Sequence, residues 1–278
     1  MKSIPIRDAH RHIGALPAYP FYGCAPVQPA TSQVGSVAQL FARLDSEGTE
    51  SAVVLPNYGV PDPLIAFSFN ELCLDATSQN DRVLAALWVS PLPEDQALTR
   101  DALKLSSEPG VVALKLSFLL GGRPSDPRCK PLLDEIFANA EQNNLVVHVH
   151  TSPGGASDVD EVSNLVEWYG DRVAIHLVHL GGGMSGHIKL IGGRFFDWIS
   201  NGKRVYTDAS WAIGFAPTWL AQEIEKRGIG HDRILFASDE PWGDRASEIA
   251  KMAAAVGDGE LGQLIFNKNF NSLYLKES

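Results

Sequence analysis

The sequence predicts an α/β protein, a (β/α)8 TIM barrel with an extra C-terminal helix. Eight short runs rich in β-branched and apolar residues alternate with longer segments that have the period of an amphipathic helix. The runs are almost continuously apolar, which is typical of parallel strands covered on both faces. The length of 278 residues suits one barrel of about 250 residues, so we expect residues 1–278 to form a single domain.

The elements follow one another in strict order. The predicted strands are residues 4–12, 51–55, 83–89, 111–117, 145–150, 173–179, 203–208 and 233–238. The predicted helices are residues 36–47, 63–80, 94–107, 130–143, 157–169, 185–200, 216–227 and 244–256, with the extra helix at 259–271. An open doubly wound sheet is the alternative. It usually carries a glycine-rich phosphate loop after its first strand, and the segment DAHRHIG is not such a loop.

One connection is unusually long. Residues 13–35 join the first strand to the first helix and are rich in proline and aromatic residues, among them Tyr19, Phe21 and Tyr22. Long irregular loops in compact domains are often functional. We therefore predict that this segment forms part of the wall of a pocket.

Composition narrows the range of partners. The formal net charge of −10 disfavours a nucleic-acid partner, because nucleic-acid binding needs clustered Lys and Arg. Three widely spaced cysteines without a CxxC pair indicate reduced thiols. The chain also lacks an apolar run of the roughly 20 residues that a membrane span needs. We expect a cytoplasmic protein that acts on a small molecule and has no membrane partner.

Residues of the types that bind metals stand at the ends of several predicted strands. The C-terminal strand ends of a barrel share one rim, where catalytic residues gather. His10 and His12 end the first strand and point to the same face, since side chains two apart in a strand do so. His150 ends the fifth strand, and Asp239 follows the eighth. These four residues predict a site for a divalent metal, and their nitrogen and oxygen ligands suit zinc.

Two of the residues at this rim are candidates for catalysis. Asp239 is placed to take a proton from a metal-bound water, and His179, at the end of the sixth strand, could polarise a carbonyl or act as a general acid. Other interpretations stay open. Each histidine could be a satisfied core residue, and Asp239 could cap the helix predicted at residues 244–256.

Further polar residues lie near these candidates. Asp8 has the parity of His10, so it is either a second-shell partner of a ligand imidazole or a structural polar group. His148 lies one layer below His150, and for it we favour a core role over a second-shell role. His176 differs in parity from His179 and is expected to face the helices.

Lys115 lies near the end of the fourth strand. In some barrels of this class a lysine there is carbamylated and bridges two metals. Lys115 could instead be an ordinary ammonium group that pairs with a carboxylate. We favour the second alternative and a single metal.

Candidate substrate-binding residues also follow the strands. Trp88, Trp211 and Trp242 could line the cleft, although ordinary packing explains each of them equally well. Arg123 follows the fourth strand and could hold a carboxylate. Together these four side chains would suit an aromatic or cyclic substrate that bears a carboxylate.

Six motifs carry a resemblance to a known family. They are IRDAHRHIG, ALKLSF, VVHVHTSPGG, AIHLVHLGGG, VYTDAS and ILFASDEPWG, in this order along almost the whole chain. With them the sequence resembles the amidohydrolase superfamily, most closely its amidohydrolase-2 branch, which includes enzymes similar to aminocarboxymuconate semialdehyde decarboxylase. The resemblance implies a (β/α)8 barrel, makes a homodimer plausible and implies a divalent metal, usually zinc, with the ligands His10, His12, His150 and Asp239 and with His179 beside it.

Two residues depart from the family pattern. Arg11, between the two histidines of the first motif, should point away from the metal. Glu240 is an additional carboxylate beside Asp239, and it could contact substrate or cap the following helix.

These observations predict an enzyme whose reaction is open between several classes. The main hypothesis is hydrolysis of a small ester, lactone or amide by a metal-activated water. The alternative is decarboxylation or hydration, without oxidation, of a small cyclic or unsaturated carboxylate at the same site. A metal-dependent nuclease of the TatD kind is disfavoured by the acidic composition, and a non-catalytic metal-binding protein is favoured least.

Overall fold

The computed structural model describes residues 4–15, 34–58 and 64–275, together with the backbone of residues 19–20 and 26–27. The latter two segments, Tyr19–Pro20 and Pro26–Val27, pair as a short antiparallel ribbon. Most side chains of the predicted pocket wall, including those of Tyr19, Phe21 and Tyr22, lie outside the described residues.

Eight parallel strands form the barrel. They are β1 Ile6–Ile13, β2 Thr49–Pro56, β3 Val83–Val89, β4 Val111–Leu116, β5 Val146–Val149, β6 Ala174–Leu177, β7 Val205–Asp208 and β8 Ile234–Leu235. Each strand pairs in parallel with the next strand along the chain. Backbone bonds between β1 and the segment after β8 link the two ends of the sheet, since the Ala9 amide donates to the Phe236 carbonyl at 2.9 Å and the Asp239 amide to the His10 carbonyl at 2.9 Å. The predicted (β/α)8 barrel is thus confirmed.

Helices separate the strands. They are α1 Val37–Glu47, α2 Leu64–Ser68, α3 Asn70–Gln79, α4 Gln96–Lys104, α5 Lys130–Gln142, α6 Val159–Tyr169, α7 Gly183–Lys189, α8 Phe195–Ser200, α9 Phe215–Arg227, α10 Arg245–Val256, α11 Glu260–Gln263 and α12 Asn269–Tyr274. Their ends follow ordinary capping rules. At α1 the Ser36 side chain accepts from the Gln39 amide, and Gly48 ends the helix in the left-handed region at φ 62°.

Three predicted helices are interrupted. The helix predicted at residues 63–80 breaks at Phe69 between α2 and α3. A π-helical turn at Leu190–Arg194 separates α7 from α8, and another at Leu264–Lys268 divides the predicted C-terminal helix into α11 and α12. The hydrophobic period continues across each break, so the pattern alone predicts one helix where the chain makes two.

The barrel interior is apolar at its N-terminal end. We call this region the apolar floor; it consists of Ala9, Val53, Leu55, Leu84, Ala86, Ala113, Val146, Ala174, Leu235, Phe270 and Tyr274. Phe270 and Tyr274 belong to α12, which therefore covers this end of the barrel. The alternate strand residues face outward and pack under the helices in the larger apolar core. Within the part of the chain that is described, no helix has the length and hydrophobicity to cross a bilayer.

Candidate active site

Three side chains meet at the C-terminal end of the barrel. The Nε2 atoms of His10 and His12 lie 3.0 Å and 3.1 Å from Oδ1 of Asp239, and 3.2 Å from each other. All three residues are buried. Such a triangle of nitrogen and oxygen atoms has the spacing of ligands around one small divalent cation, whose bonds to these atoms are about 2.1 Å long. Among the described residues, these three form the group of ligand atoms close enough to share an ion.

An irregularity in β1 shapes this arrangement. Asp8 pairs with Ala52 and Arg11 with Val54, so three steps on β1 match two steps on β2. Such a bulge interrupts the alternation of side chains and is common next to active sites. Here it puts Ala9 into the apolar floor while His10 still points into the barrel mouth.

The contacts of Asp8 favour one of its two predicted roles. The sequence left this residue open between a partner of a ligand imidazole and a structural polar group. Its carboxylate accepts from the Ser238 amide at 2.9 Å and from the Ser238 hydroxyl at 2.6 Å, and it lies 3.8 Å from the Arg11 guanidinium. Its contact with His10 is to the backbone amide, at 3.3 Å. Asp8 therefore fixes the backbone that precedes Asp239.

The hydrogen bonding of His12 suits a metal ligand. Its Nδ1 lies 3.0 Å from the carbonyl oxygen of Pro56. A carbonyl can only accept, so Nδ1 carries the proton and the Nε2 lone pair faces His10 and Asp239. Burial, aided by the charge of Lys115, lowers the pKa of His10 well below its ordinary value, which keeps this imidazole neutral.

Asp239 supplies the negative charge of the cluster. Burial alone would raise the pKa of this carboxyl, but the facing histidines outweigh burial and hold the pKa well below its ordinary value. The residue also has a left-handed backbone, with φ 55°. It does not cap α10, because the N-cap of that helix is Asp244.

His150 does not join the triangle of ligand atoms, although it lies beside it. Its Nδ1 is 3.1 Å from the hydroxyl of Tyr58, and its ring centroid is 5.0 Å from that of His179. Tyr58 was not among the predicted site residues. Its position two residues after the end of β2 is the signal that could have indicated it, because the other candidates also follow strand ends.

His179 occupies a turn, because β6 ends at Leu177 and residues Val178–Gly181 form a helical turn. Its φ is 68°, a conformation that costs a non-glycine residue roughly 1–2 kcal/mol. Its ring is buried, with a centroid 5.7 Å from that of His10, and its Nδ1 is 2.8 Å from Oγ of Ser210. Strained backbone of this kind often marks a functional position.

Two more histidines form a layer below the cluster. His148 Nε2 lies 2.7 Å from the Tyr274 hydroxyl, which gives this residue the structural contact that we favoured. His176 was expected to face the helices, but its Nε2 lies 2.8 Å from Oδ2 of Asp208 and its ring packs on His148 inside the barrel. The two histidines are register partners across β5 and β6, and partners in a sheet point to the same side. The prediction for His176 was wrong because it counted the alternation of side chains back from His179, which lies beyond the end of the strand at Leu177.

Lys115 is buried in the same layer. Its Nζ has no hydrogen-bond partner and lies 5.8 Å from the centre of the Tyr58 ring. Burial lowers the pKa of this ammonium to about 8, against the opposing attraction of Asp239 and Asp208. The expected pairing with a carboxylate is therefore an attraction through space and not a hydrogen bond.

A cavity of about 510 Å³ opens above the cluster. Sites for small molecules commonly have volumes of about 300–1,000 Å³. Two kinds of side chain line it. The polar ones are His12, Tyr58, His150, Thr151, Ser152, His179 and Asp239, and the apolar walls are Leu119, Leu120, Pro153, Trp211 and Trp242, with Gly182 and Gly183 between them.

The four predicted substrate-binding residues divide into two pairs. Trp211 and Trp242 line the cavity, and the Trp242 indole donates to Asn57 at 2.8 Å. Trp88 does not line it, because it is buried behind the Tyr58 ring at a centroid distance of 4.7 Å. Arg123 also lies outside the lining, with a half-exposed guanidinium 3.9 Å from Glu161. The predicted carboxylate holder is thus separate from the cavity.

Arg11 and Glu240, the two departures from the family pattern, pair with each other. Both are buried, and the Arg11 guanidinium contacts the Glu240 carboxylate and donates to Glu47 at 2.7 Å. The His12 amide also donates to the Glu240 carbonyl at 2.8 Å. Glu240 therefore neither lines the cavity nor caps α10, and it ties the segment that bears Asp239 to β1.

Comparison with known proteins gives a family match. The amidohydrolase family model matches residues 8–269, which confirms the family that the motifs predict. No curated protein matches the chain by sequence.

Solved structures share the fold. A 2,6-dihydroxybenzoate decarboxylase from Rhizobium is 16% identical, with a TM-score of 0.69 over 98% of each chain. A 5-carboxyvanillate decarboxylase from Novosphingobium aromaticivorans, complexed with manganese and 4-hydroxy-3-methoxy-5-nitrobenzoic acid, is 15% identical, with a TM-score of 0.68 over 98% of this chain and 96% of that one. A probable 2-pyrone-4,6-dicarboxylic acid hydrolase from Acinetobacter baumannii with bound citric acid is 17% identical, with a TM-score of 0.65 over 98% of this chain and 99% of that one. At these identities the likeness shows the fold alone.

Proposed function

Because the chain belongs to the amidohydrolase family, we propose that this enzyme is a metal-dependent decarboxylase of a small aromatic or unsaturated cyclic carboxylate. The observation that carries the proposal is the cluster of His10, His12 and Asp239, which opens into a cavity walled by Trp211 and Trp242. Flat apolar walls suit a ring, and the cluster suits the anionic group that the ring bears. The decarboxylases of the same fold support this reaction over the hydrolysis that the sequence favoured.

The cluster fits a divalent metal on three grounds. Its three ligand atoms face one another at 3.0–3.2 Å, the tautomer of His12 leaves Nε2 free, and Asp239 supplies a negative charge. His10, His12 and Asp239 would hold the ion, with His150 beside them. When bound, the metal would supply positive charge to the carboxylate and to a neighbouring oxygen of the substrate. Manganese in a structure of the same fold makes it a candidate beside zinc, which the sequence suggested.

Decarboxylation breaks one C–C bond, releases CO₂ and leaves an electron pair on the ring carbon. A proton must then reach that carbon. His179 is the candidate carrier, since it borders the cavity and its Nδ1 is held by Ser210, which leaves Nε2 to take up and release a proton. The apolar side chains of Leu119, Trp211 and Trp242 face the space that the ring would occupy.

Hydrolysis of a lactone is the second candidate. The structural likeness to a probable 2-pyrone-4,6-dicarboxylic acid hydrolase favours it, and so does the position of Asp239 and His179 at the cavity, where they could manage the protons of an attacking water. The two reactions differ in whether CO₂ is released.

The test combines metal analysis with a substrate panel. The protein is loaded with manganese or zinc and offered hydroxybenzoates and unsaturated cyclic carboxylates, with lactones and esters alongside. We expect CO₂ release from at least one carboxylate. We also expect Asp239→Asn to lose bound metal and more than about 100-fold in kcat/KM, since partners outside the ligand set already contribute about 10–100-fold.

The matched control is Asp232→Asn, which changes an exposed aspartate next to β8. It should keep both metal and activity. Hydrolysis of a lactone without CO₂ release from any acid would refute the decarboxylase proposal, and full metal content in Asp239→Asn would refute the metal site.

A further inference from the structure

The carboxylate of Asp208, at the end of β7, collects hydrogen bonds from two strand ends. Its Oδ2 lies 2.8 Å from His176 Nε2. Its Oδ1 accepts from the Ser210 amide at 2.9 Å, from the Ser210 hydroxyl, and from the His179 amide at 3.3 Å. Asp208 is fully buried. A buried carboxylate that accepts several hydrogen bonds restrains the positions of the groups that donate them.

Hydrogen bonding then determines where the proton of Ser210 goes. Burial alone would raise the pKa of Asp208, but the hydrogen bond from His176 and the nearby histidines hold it well below its ordinary value. The ionised carboxylate can only accept, so the single hydroxyl proton of Ser210 is donated to it.

The state of Ser210 determines the state of His179. Ser210 Oγ lies 2.8 Å from His179 Nδ1 and has already donated its proton to Asp208. The oxygen can therefore only accept from the ring, which requires a proton on Nδ1. In the neutral imidazole the lone pair is then on Nε2.

The same carboxylate also restrains the backbone of His179. His179 and Leu180 both have left-handed conformations, with φ 68° and 50°. Consecutive non-glycine residues in this region persist only where their surroundings hold them. Asp208 accepts the His179 amide, and the His179 carbonyl accepts from the Gly182 amide at 2.8 Å. The buried carboxylate of Asp208 thus holds the His179 backbone directly and the His179 ring through Ser210.

We propose that Asp208 and Ser210 are positioning residues that hold His179 with its proton on Nδ1 and so present Nε2 to the substrate. The inference rests on the proposed function only in giving His179 a proton to carry. It deepens that function, because the Nδ1–H tautomer leaves the Nε2 lone pair free to take up the proton that His179 then delivers to the ring carbon.

The direct test is nuclear magnetic resonance of the ring nitrogens in protein labelled with ¹⁵N-histidine. Spectra are recorded after chelation and again after loading with zinc, which is diamagnetic. The His179 signals are identified by their absence in His179→Gln. We expect the Nδ1–H tautomer in the wild type and a shift toward Nε2–H in Ser210→Ala measured after chelation.

The control is Ser106→Ala, since Ser106 is also buried but donates to the Leu103 carbonyl on another part of the barrel. Its His179 spectrum should match the wild type. An Nε2–H tautomer in the chelated wild type overturns the proposal even if Ser210→Ala does not fold. An unchanged tautomer in folded, chelated Ser210→Ala overturns it as well.

Kinetics separates this inference from the proposed function. On a carboxylate that releases CO₂, Ser210→Ala should lower kcat by about 10–100-fold, as outer-shell partners do, and change KM much less. A tautomer shift in a protein that decarboxylates no member of the panel would leave the positioning role intact and reject the proposed reaction. Decarboxylation with equal kcat in the wild type and Ser210→Ala would support the proposed reaction and reject the positioning role of Ser210.

Discussion

At the N-terminal end of the barrel the interior is apolar and regular, whereas at the C-terminal end it is polar and departs from ordinary packing. The apolar floor is built from small and branched side chains at alternate strand positions, with Phe270 across the end. The opposite end buries charged and polar groups, and several of their atoms have no hydrogen-bond partner: His10 Nδ1, Lys115 Nζ, His148 Nδ1 and His176 Nδ1. Unpartnered buried polar atoms are costly and uncommon in folded proteins.

Backbone strain follows the same division. Five non-glycine residues of the described chain have positive φ, and three of them, His179, Trp211 and Asp239, line the cavity. Left-handed backbone at such residues costs free energy that the rest of the fold must supply. The apolar floor therefore stabilises the barrel, whereas the C-terminal end gives up stability at the residues that line the candidate active site.

The largest effect on stability should come from the floor. Phe270→Ala removes a ring that is 1% exposed, and we expect it to lower the free energy of unfolding by about 3–5 kcal/mol. Activity per folded molecule should stay near that of the wild type, because this ring packs in the apolar floor and does not line the cavity. Urea denaturation and kcat/KM measure the two effects.

Phe215→Ala, at a ring that is 42% exposed, should lower the free energy of unfolding far less and serves as the control. A large loss of kcat/KM in folded Phe270→Ala would break the division between floor and mouth.

A smaller change of opposite sign is expected at the mouth. Lys115→Met replaces an ammonium without a hydrogen-bond partner, so at pH 7 the chelated variant should be more stable than the wild type by about 1–3 kcal/mol. Its activity should fall, because the positive charge near Asp239 is lost.

The pH dependence of that difference tests its cause. The pKa of Lys115 falls from an ordinary value of 10.5 to about 8 on folding. Between these values the unfolded chain binds a proton that the folded chain does not. Wild-type stability should therefore rise with pH, by up to about 1.4 kcal/mol per unit relative to Lys115→Met. Urea denaturation at pH 7 and pH 9 measures the free energy of unfolding of the wild type and of Lys115→Met. If the two free energies change with pH by the same amount, the Lys115 ammonium does not destabilise the fold.

The smallest effect is expected at the rim. Trp211 is 55% exposed and lines the cavity, so Trp211→Ala should raise KM by about two- to tenfold, which corresponds to at most about 1.4 kcal/mol. Stability should change by less than about 0.5 kcal/mol. The matched control is Trp168→Ala, since Trp168 is 40% exposed on α6 and away from the cavity. Equal KM values for the wild type and Trp211→Ala would remove Trp211 from the proposed binding surface.

Much of this molecule could be predicted from residue spacing. Alternating strand and helix periods predict the barrel, because parallel strands need crossover helices and eight of them close a ring. Since the C-terminal ends of such strands share one rim, His10, His12 and Asp239 could be expected to meet although more than 220 residues separate the last from the first two. These inferences need only periodicity and strand order.

The tertiary structure decided the details that periodicity does not contain. A bulge in β1 moved Asp8 to the Ser238 backbone, and the end of β6 at Leu177 put His179 in a left-handed turn. Asp208 became the partner of His179 through Ser210, a contact across two strand ends. The physical reason is that one inserted residue or one turn reverses the direction of a side chain, and contacts distant in sequence, not local preference, fix where such breaks occur.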